Sequence, residues 1–475
     1  MSFTPRQSAV KTAAKSAVRN AAEQTLDVLE PRRLMAAAPL SVTSVAFGDG
    51  QQLRVVATSG HDAVTVRFDG AAYQVTSKAG FSKSISGNFN SIRVFGGRGN
   101  DTIVVDAASV PAYLHGDDGN DALYGGSGDD YLFGGTGNDT LFGQGGRDNL
   151  ITLGGGSLDV ARGGSGQDRF WADANATEKL PDVEPAETKA RGVNRVSAFE
   201  SQRFVSGART VAVGKELVGS RYRDPDLTSR SFAYKQFNNN PLFAAGGPSA
   251  DDVRQGQIGD CYFLATLAGA ADVSPDAVQS MVTDLGDGTF AVRFTTGSGA
   301  AKFYRVDNDL AVFSNSTMPA YAGLGDGKSM WVAVAEKAFA YHRRQQGSYA
   351  SINSGWMDES LTAVGVIGAK KSIWKEQLGN ADAFLGWVEA RLAAGEIVTL
   401  AVTSGGGEQN LVNGHAYTVT RVDTAPDGSK HLVIRNPWGV DAYASTDDAN
   451  DGYLTLTAAE AYDGIDAFVS AKAAA

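Results

Sequence analysis

The chain contains a single cysteine, Cys261, among 475 residues. A lone thiol forms no intrachain disulfide, so it is either inert packing or a reagent, and its surroundings decide between them. It follows a glycine-bearing turn, Gln255-Gly256-Gln257-Ile258-Gly259-Asp260, and opens the apolar run Tyr262-Phe263-Leu264-Ala265-Thr266-Leu267-Ala268, which reads as a buried helix. A thiol on the first turn of a helix meets free N–H groups and the positive end of the dipole, both of which favour a thiolate. The Cys261 N–H and an amide such as Gln255 offer two donors for an oxyanion.

Such a nucleophile needs a base brought from elsewhere in the chain. Of the five histidines, His61 and His115 lie in a Gly/Asp-rich region, and His342 falls in a helical stretch, Trp331 to Arg344, where it is read as a surface residue. His415 opens a strand, Asn413-Gly414-His415-Ala416-Tyr417-Thr418-Val419-Thr420. After a turn at Pro426-Asp427-Gly428, a second strand, His431-Leu432-Val433-Ile434-Arg435, runs into Asn436-Pro437-Trp438-Gly439. This hairpin brings His415 and Asn436 to one edge, where the amide oxygen can accept from the imidazole and fix its tautomer. Trp438 is placed to cover that bond, and His431, toward the turn, ranks below His415 as a base.

Taken in order, Gln255-Gly256 through Cys261-Tyr262-Phe263-Leu264, Gly414-His415-Ala416-Tyr417 and Arg435-Asn436-Pro437-Trp438-Gly439 resemble the calpain family of cysteine proteases. Trp331 to Ala340 and Gly347-Ser348-Tyr349 extend the resemblance over roughly residues 226–475. It implies a papain-like pair of lobes, one mainly helical with Cys261 and one mainly β with His415 and Asn436, and a cleft between them. It also implies roles: Cys261 as nucleophile, His415 as general base and acid, Asn436 as orienter, Gln255 as oxyanion donor, and proteins or peptides as substrates. Tyr262 stands where the family usually has Trp. The resemblance further implies a first-lobe calcium site at Asp252 and Glu359. A second-lobe site would include Asp451, but Tyr453 replaces the acid that the family usually carries there.

Residues 96–171 repeat with a period of nine, as in Gly116-Asp117-Asp118-Gly119-Asn120-Asp121-Ala122-Leu123-Tyr124 and the copies starting at Gly125 and Gly134. The Gly/Asp half must turn sharply, and the remainder is a strand with one inward residue: Leu123, Leu132, Leu141 or Leu150. Aspartates on successive turns repel unless a cation joins them, and Ca²⁺ takes six to eight oxygens from carboxylates and turn carbonyls. The segment resembles the RTX, or haemolysin-type, calcium-binding repeat, which winds into a parallel β-roll. The ligands so implied are Asp101, Asp121, Asp130, Asp139, Asp148 and Asp168.

The elements that must carry these sites fall into four regions: a basic segment (1–38), a β-strand region with the β-roll (39–172), a linker holding Glu178 to Pro185 (173–225) and the protease-like domain (226–475). The expected fold is multidomain, an RTX-like parallel β-roll followed by an α+β papain-like two-lobed core. Glycine is concentrated in the repeat, 57 residues of 475, about 12% against a usual ~7%. A net charge of −11 argues against nucleic-acid binding. No stretch approaches the ~20 apolar residues of a transmembrane span. The first 38 residues lack the apolar core of a signal peptide. Leu29-Glu30-Pro31-Arg32-Arg33-Leu34-Met35 resembles the LEPR-type motif of planctomycete surface and secreted proteins, which implies a bacterial protein exported to the medium or the cell surface.

The expected activity is that of a calcium-dependent cysteine endopeptidase with Ca²⁺ as its cofactor. The alternative is a calcium-binding surface or adhesion protein whose protease domain is silent, which would not notice Cys261→Ala. A transglutaminase-like transferase is a third reading. Such enzymes usually pair the histidine with Asp, and Asn436 argues against it.

Overall fold

A computed structural model describes residues 39–107, 110–154, 158–174, 177–189, 192–200, 224–365, 371–403, 411–441 and 450–472. The basic segment 1–38 with its LEPR-type motif lies outside the described residues. The chain divides into two compact units. The first holds residues up to 45, 52–166 and 176–181, and the second holds 46–51, 167–175 and 182–475.

The first unit is a parallel β-solenoid preceded by an antiparallel hairpin region, Ala63–Phe68, Tyr73–Ser77 and Ser82–Ile85. Successive nonapeptides alternate between two sheets, so one full coil takes two repeats. Tyr131 therefore aligns with Tyr113 and Asn149, and Thr140 with Ala122, each 18 residues away. Around Pro111 the coil takes 20 residues instead, Thr102 aligning with Ala122, and a second 20-residue coil aligns Thr140 with Val160. Each short strand has room for one inward side chain. Leu114, Leu132 and Leu150 stack in one buried column, and Ile103, Leu123, Leu141 and Ala161 in the other. Outward rings stack at the same pitch, with Tyr113 on Tyr131 at 4.9 Å and Tyr124 on Phe142 at 4.8 Å.

The second unit holds the candidate catalytic residues in two lobes. The first lobe packs the helices Cys261–Val273 and Trp331–His342 against an antiparallel sheet of Val282–Asp284, Thr289–Thr295 and Ala301–Asp307. Part of the stretch read as a linker is structured in this unit. Pro185–Lys189 is helical, and Val193–Val196 pairs in parallel with Arg169–Asp173. Asn194 fixes that pair to the lobe by donating to the Ser280 carbonyl at 3.2 Å and accepting from Arg293 at 2.8 Å. The second lobe is a six-stranded antiparallel sheet in the order Lys371–Trp374, Ala467–Lys472, Glu396–Val402, His415–Thr424, Lys430–Arg435, Tyr453–Thr457. Helix Ala381–Ala393 covers its own apolar core. The lobes meet where helix Cys261–Val273 crosses the sheet. A Cβ on Gly269 would lie 2.8 Å from the Ile397 Cγ2, and the Thr418 hydroxyl donates to the Ala265 carbonyl at 2.6 Å.

Candidate active site

Cys261 occupies the first position of its helix, as the sequence predicts, and the structure puts Asp260 at the N-cap. Gly256 lets the preceding turn close on a neighbouring segment: Gln257 N–H donates to the Ala320 carbonyl at 2.8 Å, and a Cβ on Gly256 would clash with that carbonyl. The hairpin register places the partners. Thr418 faces Arg435, so Asn436 and Trp438 continue along the edge that His415 opens. The Ala416 N–H reaches the Cys261 sulfur, which joins the strand of the base to the helix of the nucleophile. A cleft of about 500 Å³ is lined by Gln255, Cys261, Gly355, Gly414, His415 and Trp438 among others.

Within this cleft His415 Nε2 lies 3.0 Å from Asn436 Oδ1. The same oxygen accepts the Trp438 N–H at 3.0 Å. A peptide N–H can only donate, so the amide atom facing it is oxygen, and Nε2 must carry the imidazole proton. Nδ1 is then the basic nitrogen. The Trp438 ring lies 4.9 Å from the imidazole and covers the bond. Burial pushes the Cys261 thiol up to about 11 and the His415 imidazole down to about 4. The helix terminus does not deliver the resting thiolate expected from sequence, because desolvation of this enclosed thiol outweighs the N–H groups around it.

Gln255 lines the cleft, but its Nε2 is engaged at rest, donating to the Ile258 carbonyl at 2.6 Å and to Asp260 Oδ1 at 3.2 Å. His342 is half-buried rather than freely exposed: its ring packs against Phe294 at 4.9 Å and near Tyr304, and burial drives its pKa down to about 4. His431 sits toward the hairpin turn, 3.4 Å from the Ser429 hydroxyl, away from Cys261.

The acids assigned to a first-lobe calcium are used by the fold. Asp252 is buried and accepts from Ser249 N–H, Asp326 N–H, the Ser329 hydroxyl and Trp331 Nε1–H. Glu359 pairs with Arg343 Nε at 3.0 Å. A carboxylate with four protein donors has no lone pair left for a cation, so Asp252 does not fit a metal ligand in this geometry, and Glu359 is shared with Arg343. Neighbouring Asp251 instead accepts from Arg435 Nε at 3.3 Å and from the Tyr453 hydroxyl at 2.9 Å, a clasp from one lobe to the other. Sequence reasoning missed this clasp, although Tyr453 in place of the family's acid was its visible sign.

The solenoid aspartates form a buried ladder. Asp101 Oδ1 accepts the Asp62 N–H at 2.7 Å, Asp121 that of Asp101 at 2.6 Å, and Asp139 that of Asp121 at 2.8 Å. On the other side Asp148 Oδ1 accepts the Asp130 N–H at 2.9 Å. Asp168, at the end of the series, is buried, and its N–H donates to Glu187. The Oδ2 atoms of Asp101, Asp121 and Asp130 are buried without a hydrogen-bond partner among the described residues. They sit over the first glycine of each repeat, where a Cβ would intrude, as at Gly96, 2.7 Å from Asp101 Oδ2. Enclosed, oxygen-only, unsatisfied and too buried to stay ionised without a cation, these carboxyl positions fit Ca²⁺. Asp62 and Asp159 belong to the same ladder, since Asp159 Oδ1 accepts the Asp139 N–H at 2.7 Å. The 20-residue spacing from Asp139, equal to that between Asp101 and Asp121, was the signal for Asp159.

Comparison with known proteins agrees with both halves. The model of the calpain family cysteine protease matches residues 225–451, and that of the RTX calcium-binding nonapeptide repeat matches 93–107 and 115–150. The chain is similar to the calpain-type cysteine protease DEK1 of Arabidopsis thaliana, 26% identical over 57% of this chain and 13% of the relative. It is similar to Calpain-9 of Homo sapiens, 26% over 46% of this chain and 33% of the relative. It is also similar to the Calpain-2 catalytic subunit of Gallus gallus, 28% over 42% and 29%. The chain thus spans a third or less of these relatives' lengths. It carries a calpain-type cysteine protease domain and RTX calcium-binding repeats.

Proposed function

We propose that the chain is a calcium-dependent cysteine endopeptidase, exported from the cell, with Cys261, His415 and Asn436 as its catalytic triad and Gln255 as an oxyanion donor. The observation that carries this reading is the His415–Asn436 pair with its tautomer set by the Trp438 N–H, in the cleft that Cys261 also lines. With both groups neutral at rest, His415 Nδ1 removes the thiol proton as sulfur attacks the scissile carbonyl. The tetrahedral oxyanion takes donors from the Cys261 N–H and Gln255 Nε2. Collapse breaks the C–N bond, and His415 returns the proton to the leaving amine. Water, deprotonated by the same nitrogen, then hydrolyses the thioester. Asp101, Asp121, Asp130, Asp139 and Asp148 would hold Ca²⁺, which neutralises the ladder and lets the solenoid fold.

The rival reading is a calcium-binding surface protein with a silent protease domain. Casein cleavage by the full chain, with calcium or chelator and beside Cys261→Ala, separates the two. Cleavage that requires both calcium and Cys261 is expected. No cleavage in either condition would favour the rival.

A further inference from the structure

The carboxyl of Asp260 is misplaced for its position. An aspartate at a helix N-cap ordinarily accepts an N–H from the first turn, but Asp260, the N-cap of the nucleophile helix, makes no such bond. It turns inward instead, accepts from Gln255 Nε2 at 3.2 Å and meets the carboxyl of Glu336 on helix Trp331–His342. Both acids are buried, Asp260 at 0% exposure and Glu336 at 1%. Glu336 is held from behind by the Ala322 N–H, 3.1 and 3.0 Å from its two oxygens. Among the described residues Asp260 Oδ2 has no donor in hydrogen-bond reach unless Glu336 supplies a proton. Two enclosed carboxyls in contact cannot both be ionised, so one proton lies between them. Burial raises both groups, in agreement with that arrangement.

The third member of the chain is the proposed oxyanion donor. Both atoms near the Gln255 amide, the Ile258 carbonyl oxygen and Asp260 Oδ1, are acceptors, so its nitrogen end must face them. An amide held only by the carbonyl could rotate its own oxygen toward a developing oxyanion and repel it. We propose that Asp260 and Glu336 act as a one-proton carboxyl pair that positions the Gln255 amide for the tetrahedral oxyanion, which makes Glu336 a positioning residue about one helix removed from the chemistry. When the oxyanion forms, Gln255 exchanges the Ile258 carbonyl for this charged and stronger acceptor while Asp260 keeps the second N–H. The inference rests on the protease reading.

A double-mutant cycle on the full chain, read as kcat and KM for a peptide substrate, tests it. Glu336→Gln retains a donor toward Asp260, an acceptor for the Ala322 N–H and the pair's net charge, and is expected to keep kcat within about threefold. Glu336→Ala removes the donor and is expected to lower kcat by about 10–100-fold with KM changed less than about threefold, part of the loss seen when an oxyanion donor is deleted. In a Gln255→Ala background the same Glu336→Ala substitution should cost less than about twofold, because there is no amide left to position. Should Glu336→Ala fail to fold by circular dichroism, Glu336→Leu takes its place, filling the volume without a donor. Equal losses with and without Gln255, or Glu336→Gln as damaging as Glu336→Ala, would overturn the proposal while leaving the protease standing. A wild-type chain that cleaves nothing would overturn both.

Discussion

At His415 the partner that settles the chemistry is a peptide N–H. Because Trp438 N–H can only donate, Asn436 presents oxygen to both neighbours, and the imidazole proton is fixed on Nε2. Asn436→Ala removes that constraint and should lower kcat by roughly 10²-fold, within the range that positioned general bases contribute. Peptide cleavage by the folded variant measures this. The neutral resting pair has its own signature. With the thiol near 11 and the imidazole near 4, alkylation of Cys261 by iodoacetamide should accelerate steadily from pH 6 to pH 10. A flat profile above pH 5 would mean an ion pair already formed at rest. Stability follows the same groups. His415 and His342 have folded pKa values near 4, below the unfolded ~6.5, so unfolding takes up protons between these limits. Their contribution is complete above about pH 6.5 and is lost as pH falls toward 4, which acid titration of the melting temperature would show.

At the scale of the element, the solenoid coil carries the opposite dependence. Burial raises Asp101 to about 7, Asp121 and Asp130 to about 8, and Asp139 to about 6. These folded values lie above the unfolded ~3.9, so the folded coil holds protons that the unfolded chain releases. In chelator the solenoid is therefore expected to lose stability as pH rises from about 4 to 8, and calcium should restore it at the alkaline end. Circular dichroism at pH 5 and pH 8, with and without calcium, reads both. A coil whose stability rises with pH in chelator would contradict the buried ladder. The turns offer a separate test. Gln144 takes the left-handed conformation, φ 79°, at the repeat position where Gly126, Gly135 and Gly164 also have positive φ. Gln144→Gly should stabilise the calcium-loaded chain by about 1 kcal/mol, measurable as a raised melting temperature.

At the scale of the whole protease unit, the lobes are joined by direct bonds through Asp251, beside the expected ligand Asp252, and through Tyr453, which stands where the family usually carries an acid. Arg435, 2% exposed at its side chain and next to Asn436 in the chain, reaches Asp251 and the Val253 carbonyl in the other lobe. Tyr453 closes the clasp from the edge strand. Tyr453→Phe removes one hydrogen bond without leaving a cavity and should cost about 1 kcal/mol in unfolding free energy. Denaturant titration checks the stability. A fall in peptide cleavage larger than that loss explains would show that the clasp also sets the cleft.

Much of this was legible in the residues themselves. The nonapeptide period fixes the turns, the inward leucines and the aspartate ladder because each coil contacts only its neighbours, so local pattern and tertiary contact coincide. Cys261, His415 and Asn436 stood out because glycine turns, strand alternation and a short hairpin place them with little help from distant segments. What required the fold was every property set by burial or by a partner far away in sequence. Desolvation reversed the expected thiolate, Asp252 was consumed by donors from residues 326–331, and His342 went into an aromatic core. The eighteen-residue coil depended on which repeats share a sheet, and Asp260 met Glu336 only because two helices 70 residues apart pack together. Charge and hydrogen-bond energies depend on the dielectric and the donors around a group, and those are assembled only when the chain closes on itself.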